Sequence, residues 1–101
     1  MSSYNMVNGV YTPNSGGLCT EVLRREWGFA GLVMSDWNAT GQCSHAAAVN
    51  AGNDLIMPGN KGVRKALLEA LKKGELDRAA LDRSAARVLK LVFQSRTAEG
   101  F

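Results

Sequence analysis

Residues 31–36 read Gly-Leu-Val-Met-Ser-Asp, and this stretch predicts the fold more strongly than any other part of the chain. Its apolar centre is continuous rather than alternating, which is typical of a parallel strand covered on both faces. Helical periodicity precedes it at about residues 18–27, and Gly28 is placed to end that helix. The stretch therefore indicates a strand within an α/β fold.

Two more apolar runs lie at residues 1–6 and 54–57, and the first of them is weak and rich in Ser and Tyr. Helical stretches follow at about residues 43–51 and 62–73. Strands that alternate with helices at this spacing predict three parallel β/α units with right-handed crossovers. Because three parallel strands leave two open edges, we interpret the pattern as a slice of a larger α/β fold.

A long C-terminal helix has the clearest signals. Asp77 is a good N-cap, and Leu76 and Leu81 are placed for a hydrophobic staple. Its core-facing stripe consists of Leu81, Ala85, Val88, Leu89 and Val92. Because residues 95–101 show no periodicity, we predict one domain at residues 1–94 and a flexible tail at residues 95–101.

Composition and charge exclude several classes of function. The chain has 101 residues, 46% of them hydrophobic, and a net charge of +3. Its basic residues alternate with acidic ones on helix faces without interleaved aromatic residues, which argues against nucleic-acid binding. No apolar run approaches about 20 residues, so we expect no membrane span. The polar N-terminus lacks the basic region of a signal peptide, and the compartment stays unknown.

Metal binding is not indicated either. The two cysteines, Cys19 and Cys43, form no CxxC pair, and His45 does not complete a zinc site with them. We expect two free thiols, no metal and, for His45, a place on a helix surface.

Candidate functional residues lie just after the predicted strands, where α/β folds place their sites. Asp36 beside Trp37 suits a sugar site, since the indole offers an apolar face and the carboxylate can attack a sugar carbon. From spacing alone, capping the following helix is the commoner role of such an aspartate. Tyr4 could bind a substrate or that carboxylate, although such a tyrosine is more often a packing residue.

Two further observations concern possible chemistry. The loop Gly59–Gly62 could hold a phosphate at a helix N-terminus, but it lacks the full Walker pattern, which favours a plain loop. No glutamate follows a predicted strand, so no partner acid for Asp36 is visible. Glycoside hydrolysis normally needs two carboxyl groups.

The amino-acid sequences of four motifs resemble those of glycoside hydrolase family 3, the β-glucosidase family. They are MSSYN with VNG at residues 1–9, LRREWGF at 23–29, GLVMSDW at 31–37 and AGNDLIMPG at 51–59. The resemblance runs from residue 1 to about residue 94 and implies that the chain is a partial TIM barrel holding about its last three β/α units.

The resemblance also implies roles for individual residues. Asp36 matches the family's catalytic nucleophile, and Trp37 matches a residue that lines the subsite for the reacting sugar. Tyr4 matches a tyrosine that contacts both the sugar and the nucleophile, and Met1 matches a methionine on the pocket wall. A tryptophan after the aspartate resembles the β-glucosidase or β-xylosidase branch.

At family level the resemblance implies a retaining exo-β-glycosidase that acts on a β-glycoside or oligosaccharide without metal or organic cofactor. The family's acid/base glutamate lies in a later domain, and other sugar-binding residues lie on earlier strands. We therefore expect this chain alone to be inactive and to need the missing barrel portion. The alternative is a non-enzymatic α/β assembly unit that self-associates through exposed sheet edges.

Overall fold

A computed structural model describes residues 1–95, and helices dominate it. In chain order the elements are strands β1 (Met6–Val7) and β2 (Val10–Tyr11), a 3₁₀ helix at Thr12–Asn14, a π-helix at Gly17–Glu26, a second 3₁₀ helix at Ala39–Gln42, and helices α1 (His45–Ala51), α2 (Lys61–Lys73) and α3 (Arg78–Gln94). The strands β1 and β2 form an antiparallel hairpin. Its turn is made by Asn8 and Gly9, both at positive φ, as a tight two-residue hairpin requires.

The prediction of three parallel β/α units, and with it a partial TIM barrel, is wrong. The only sheet in residues 1–95 is the two-stranded antiparallel hairpin. The segments predicted as the second and third strands are joined by a single parallel bridge, between Met34 and Leu55.

Side chains explain why the predicted ladder does not form. The backbone N–H of Val33 donates to a carboxylate oxygen of Asp54 at 3.0 Å. The backbone N–H of Met57 donates to the hydroxyl of Ser35 at 2.9 Å. Both donors are therefore taken by side chains, and the apolar run of residues 31–36 is extended without a regular ladder.

Main-chain bonds nevertheless place three extended segments side by side. Ser2 donates to the carbonyl of Met34 at 2.9 Å and accepts from the N–H of Asp36 at 3.1 Å. On the other side, Ser35 donates to the carbonyl of Leu55 at 2.9 Å. This arrangement brings the residues after Ser2 next to those after Ser35.

Polar side chains begin all three α-helices. The side chain of Ser44 accepts from Ala47 N–H at the start of α1, and that of Asn60 accepts from Val63 N–H at the start of α2. The side chain of Asp77 accepts from Ala79 N–H at the start of α3. Each cap satisfies one of the backbone donors that a helix N-terminus leaves free.

The apolar core is small and lies between the α-helices. Its buried members are Ala46, Val49, Ala70 and Leu76. Leu76, which precedes α3, is 3% exposed, and the half-buried Leu81 packs against the same cluster. The hydrophobic staple predicted before α3 thus joins the C-terminal helix to the core.

A buried asparagine links four parts of the chain. The fully buried Asn53 accepts from the hydroxyl of Ser2 at 2.8 Å. Its amide donates to the carbonyls of Pro13 at 2.7 Å and Ala48 at 3.0 Å. The hydroxyl of Ser84 on α3 donates to the carbonyl of Asn53 at 3.2 Å. Polar contacts therefore connect segments of the chain that lie outside the small apolar core.

The described residues end just after α3. Helix α3 ends at Gln94, and the division into a domain and a tail at residue 94 stays a prediction. Apart from Ser95, the predicted tail at residues 95–101 lies outside the described residues. Within residues 1–95, no helix combines the length and the apolar character needed to cross a membrane.

Candidate active site

Tyr4, Asp36 and Trp37 come together in the structure. The hydroxyl of Tyr4 donates to Oδ1 of Asp36 at 3.1 Å and to the backbone carbonyl of Trp37 at 2.6 Å. Tyr4 lies more than 30 positions from Asp36 and Trp37 in the sequence. The main-chain bonds between Ser2 and residues 34–36 bring them close.

Asp36 does not cap a helix. Its Oδ1 accepts from the N–H of Trp37 at 2.7 Å, while Ser44 caps α1. Asn38 precedes the 3₁₀ helix and makes no side-chain cap. The carboxylate of Asp36 is therefore held at the surface by Tyr4 and Trp37, with no described residue donating to Oδ2.

The carboxylate changes the acidity of the neighbouring phenol. The pKa of Tyr4 is raised from its ordinary value of 10.0, first by desolvation and then by the hydrogen bond to Asp36 and its negative charge. The neutral phenol is the form that can donate to a carboxylate, so the contact favours it. Tyr4 thus acts as a hydrogen-bond donor over the whole neutral range.

The site is an open surface in the described part of the chain. Tyr4 is 49% exposed and Trp37 is 58% exposed. A large exposed indole beside a carboxylate offers an apolar face and an anionic group to the same ligand. Met1, the fourth predicted site residue, is 76% exposed and lines a cavity of about 260 Å³ with Val22 and Trp27, which Asp36 does not line. The structure therefore brings together three of the four residues.

Two residues that sequence reasoning missed hold the segment of Tyr4. The side-chain amide of Gln42 donates to the carbonyl of Tyr4 at 2.6 Å. The hydroxyl of Thr12 accepts from the N–H of Ser3 at 3.0 Å and donates to its carbonyl at 2.9 Å. No periodicity or spacing signals either contact, since the Gln42 contact spans 38 positions and the Thr12 contact spans 9 positions with the β-hairpin between them.

The other candidates take no part in this site. At the Gly59–Gly62 loop the Asn60 side chain already occupies the N–H of Val63, and phosphate binding there stays a prediction. His45 is half-buried, with its Nδ1 2.7 Å from the hydroxyl of Thr40. Cys19 and Cys43 are free thiols. No cluster of three or more potential metal ligands occurs in the part of the chain that the structure describes.

Comparison with known proteins assigns the family. The sequence model of the glycosyl hydrolase family 3 N terminal domain matches residues 1–91. The chain belongs to glycosyl hydrolase family 3. The family resemblance inferred from the four sequence motifs is therefore confirmed.

Several β-glucosidases are similar over nearly the whole chain. A probable β-glucosidase J of Emericella nidulans is 47% identical over 93 residues, which are 91% of this chain and 11% of that protein. A β-glucosidase of Rhizobium radiobacter is 47% identical over 95 residues, with the same coverage of 91% and 11%. The chain thus spans about a tenth of the length of these relatives.

Solved structures of family 3 enzymes share the fold. β-Glucosidase 3B of Thermotoga neapolitana in complex with glycerol superposes with a TM-score of 0.88 at 37% sequence identity. The match covers 97% of this chain and 15% of that one. A family 3 β-glucosidase of Bifidobacterium adolescentis superposes with a TM-score of 0.82 at 38% identity, over 97% of this chain and 14% of that one.

Proposed function

We propose that this chain is a piece of a retaining exo-β-glycosidase of the β-glucosidase type and carries its nucleophile, Asp36. One observation supports the proposal above the others. The hydroxyl of Tyr4 and the N–H of Trp37 both bind Oδ1 of Asp36, while no described residue donates to Oδ2. One oxygen is fixed and the other is available for attack. The substrate of the complete protein would be a β-glycoside or oligosaccharide, as the names of the relatives suggest.

The arrangement suits the first step of a double-displacement mechanism. Oδ2 of Asp36 forms a bond to the anomeric carbon as the bond from that carbon to the leaving oxygen breaks. The leaving oxygen takes a proton from an acid, and the product is a glycosyl-enzyme ester. Water, deprotonated by the same group, then hydrolyses the ester. Trp37 would pack its exposed indole on the sugar ring.

We further propose that the 101-residue chain is inactive alone. No other carboxylate among residues 1–95 forms a hydrogen bond with Asp36 or Tyr4. Asp54, the next aspartate along the chain, has a fully buried side chain held by two arginines. None of these contacts supplies the second carboxyl group that glycoside hydrolysis normally needs.

A pair of activity measurements tests both proposals. The purified chain should give no turnover of aryl β-glucosides. The same residues, substituted for the matching 95-residue region of the Rhizobium radiobacter relative, should support turnover. Asp36→Asn in that chimera should lower kcat on the order of 10³-fold or more, since the covalent step is lost.

A matched control separates the nucleophile from general damage. Asp82→Asn removes an exposed carboxylate on α3 and should leave the chimera active. An Asp36→Asn chimera as active as the Asp82→Asn chimera would refute the role of Asp36. Robust turnover by the isolated chain would refute its inactivity.

Self-association is a second candidate function, but the structure points to a different surface for it than the sheet edges expected from the sequence. A three-stranded sheet with open edges is absent from residues 1–95, so pairing through such edges has no support. An apolar groove of about 670 Å³ instead lies between α2 and α3, where Leu68 is 48% and Leu89 is 55% exposed. Exposed apolar surface of this kind favours association.

Light scattering across a concentration range tests this candidate. We expect a dimer or larger species, and Leu68→Lys with Leu89→Lys should shift the population toward monomer. A single monomeric species of the unchanged chain at high concentration would contradict it.

A further inference from the structure

Gln42 contacts the site from the far end of a short helix. Its side-chain amide donates to the backbone carbonyl of Tyr4 at 2.6 Å. Gln42 is the last residue of the 3₁₀ helix Ala39–Gln42, and the N–H of Ala39 donates to the carbonyl of Asp36 at 3.1 Å. The helix that presents Gln42 therefore starts on the main chain of Asp36 itself.

Tyr4 is consequently bound at both of its ends by one short stretch, residues 36–42. Its hydroxyl binds Asp36 and the carbonyl of Trp37, and its main-chain carbonyl binds Gln42. Tyr4 is half exposed, so packing restrains its ring only weakly. A side chain held at its tip alone can leave its partner whenever the backbone moves, whereas two fixed points define its position.

We propose that Gln42 is a positioning residue that fixes the main chain of Tyr4 and so keeps the phenol on Oδ1 of Asp36. The catalytic meaning of this contact rests on the proposed function of Asp36, whereas the contact itself does not. With the phenol in place, Oδ1 carries two donors and Oδ2 stays free to face a substrate. Without it, Oδ1 keeps only the N–H of Trp37.

Titration of the Tyr4 phenol in the full chain tests the proposal without any sugar. The chain has two tyrosines, so a Tyr11→Phe background leaves Tyr4 as the single phenol that phenolate absorbance reports. Gln42→Met keeps the length of the side chain and removes the donor. Gln94→Met makes the same change at an exposed position at the end of α3.

The expected result is a loss of that part of the upward shift in the Tyr4 pKa that the contact with Asp36 causes. In the unchanged chain, desolvation raises the pKa of Tyr4 above its ordinary value of 10.0, and the hydrogen bond to Asp36 and its charge raise it further. Gln42→Met should lower this pKa by weakening the hydrogen bond to Asp36, as Asp36→Asn should, while Gln94→Met should leave the pKa unchanged. Gln42→Ala, which removes the amide and introduces no charge, should act like Gln42→Met.

Three outcomes would overturn the proposal. One is a pKa that falls with Asp36→Asn but stays raised in both Gln42 variants, which would mean that Tyr4 is held without Gln42. The second is a Tyr4 pKa that changes neither with Gln42→Met nor with Asp36→Asn, which would show that Tyr4 does not bind Asp36. The third is a Gln42 variant that lowers the pKa only by unfolding the chain, as far-ultraviolet circular dichroism would show. Failure of the chimera assay would instead refute the nucleophile and leave these results unchanged.

Discussion

Arg24 and Asp54 form an ion pair of 2.8 Å in which the Asp54 side chain is fully buried and the Arg24 side chain is 9% exposed. A second arginine, Arg87 on α3, reaches the other oxygen of Asp54 at 2.9 Å. The Asp54 carboxylate also accepts from the N–H of Val33, three residues before Asp36. The π-helix, the segment that leads to the candidate nucleophile and α3 therefore meet at one buried carboxylate.

Removal of that carboxylate charge should be costly. Asp54→Asn leaves the guanidinium of Arg24 buried without a counter-ion, and breaking one side of a buried pair typically costs about 3–5 kcal/mol. We expect the free energy of unfolding, measured in urea, to fall by about that amount. The exposed pair Arg78–Asp82 is the control, since Asp82→Asn should cost less than about 0.5 kcal/mol. Equal losses in the two variants would contradict this account.

Substitution of Asn53 should also lower the stability of the fold strongly, through the loss of hydrogen bonds rather than of charge. Asn53→Ala removes the partner of the Ser2 hydroxyl and the side-chain donor to the carbonyl of Pro13, whereas the carbonyl of Ala48 keeps the backbone N–H of residue 53. Each buried group without a partner costs about 1–3 kcal/mol. Thermal unfolding should occur at a clearly lower temperature than in Asn50→Ala. Asn50 also makes two hydrogen bonds to the main chain, but its side chain is exposed, so water can replace them. Similar unfolding temperatures for the two variants would argue against a special role of Asn53.

Gly52 and Gly74 give a matched test of backbone geometry. Both follow a helix and both have positive φ, at +117° and +78°. A Cβ at Gly52 would lie 2.8 Å from the hydroxyl oxygen of Thr20, which donates to the carbonyl of Ala51, whereas a Cβ at Gly74 meets nothing within 4 Å. Both alanine variants should lose about 1–2 kcal/mol through the backbone, and Gly52→Ala should lose more through the clash. Urea denaturation of the two variants measures the difference, and a larger loss at Gly74 would refute it.

Local signals in the sequence predicted local structure well. The cap at Asp77, the glycine after α2 and the position of α3 follow from contacts within a few residues. The parallel strands were predicted wrongly because the donors of Val33 and Met57 bind side chains about 20 residues away. Hydrophobic periodicity carries no information about such long-range polar bonds.

The candidate site likewise combines residues that the sequence predicted with contacts that it did not. Asp36, Trp37 and Tyr4 were found from the motif resemblance and from the expectation that residues after extended segments lie together. Gln42 was not found, since a glutamine in a loop has no pattern of its own, and its contact spans 38 positions. The Arg24–Asp54 pair was missed for the same reason, although both residues lie inside recognised motifs.

The last prediction concerns alkaline pH and follows from the raised pKa of Tyr4. A tyrosine whose pKa is higher in the folded than in the unfolded chain contributes stability that is fully present below the unfolded value, 10.0. That contribution disappears as pH rises through the folded value, because the phenolate cannot donate to Asp36 and is repelled by it. Unfolding in urea should therefore show the unchanged chain losing stability relative to Tyr4→Phe only above pH 10.0. Tyr11→Phe removes the other phenol and should keep this alkaline loss, whereas a Tyr4→Phe chain with the same alkaline loss would show that Tyr4 is not its source.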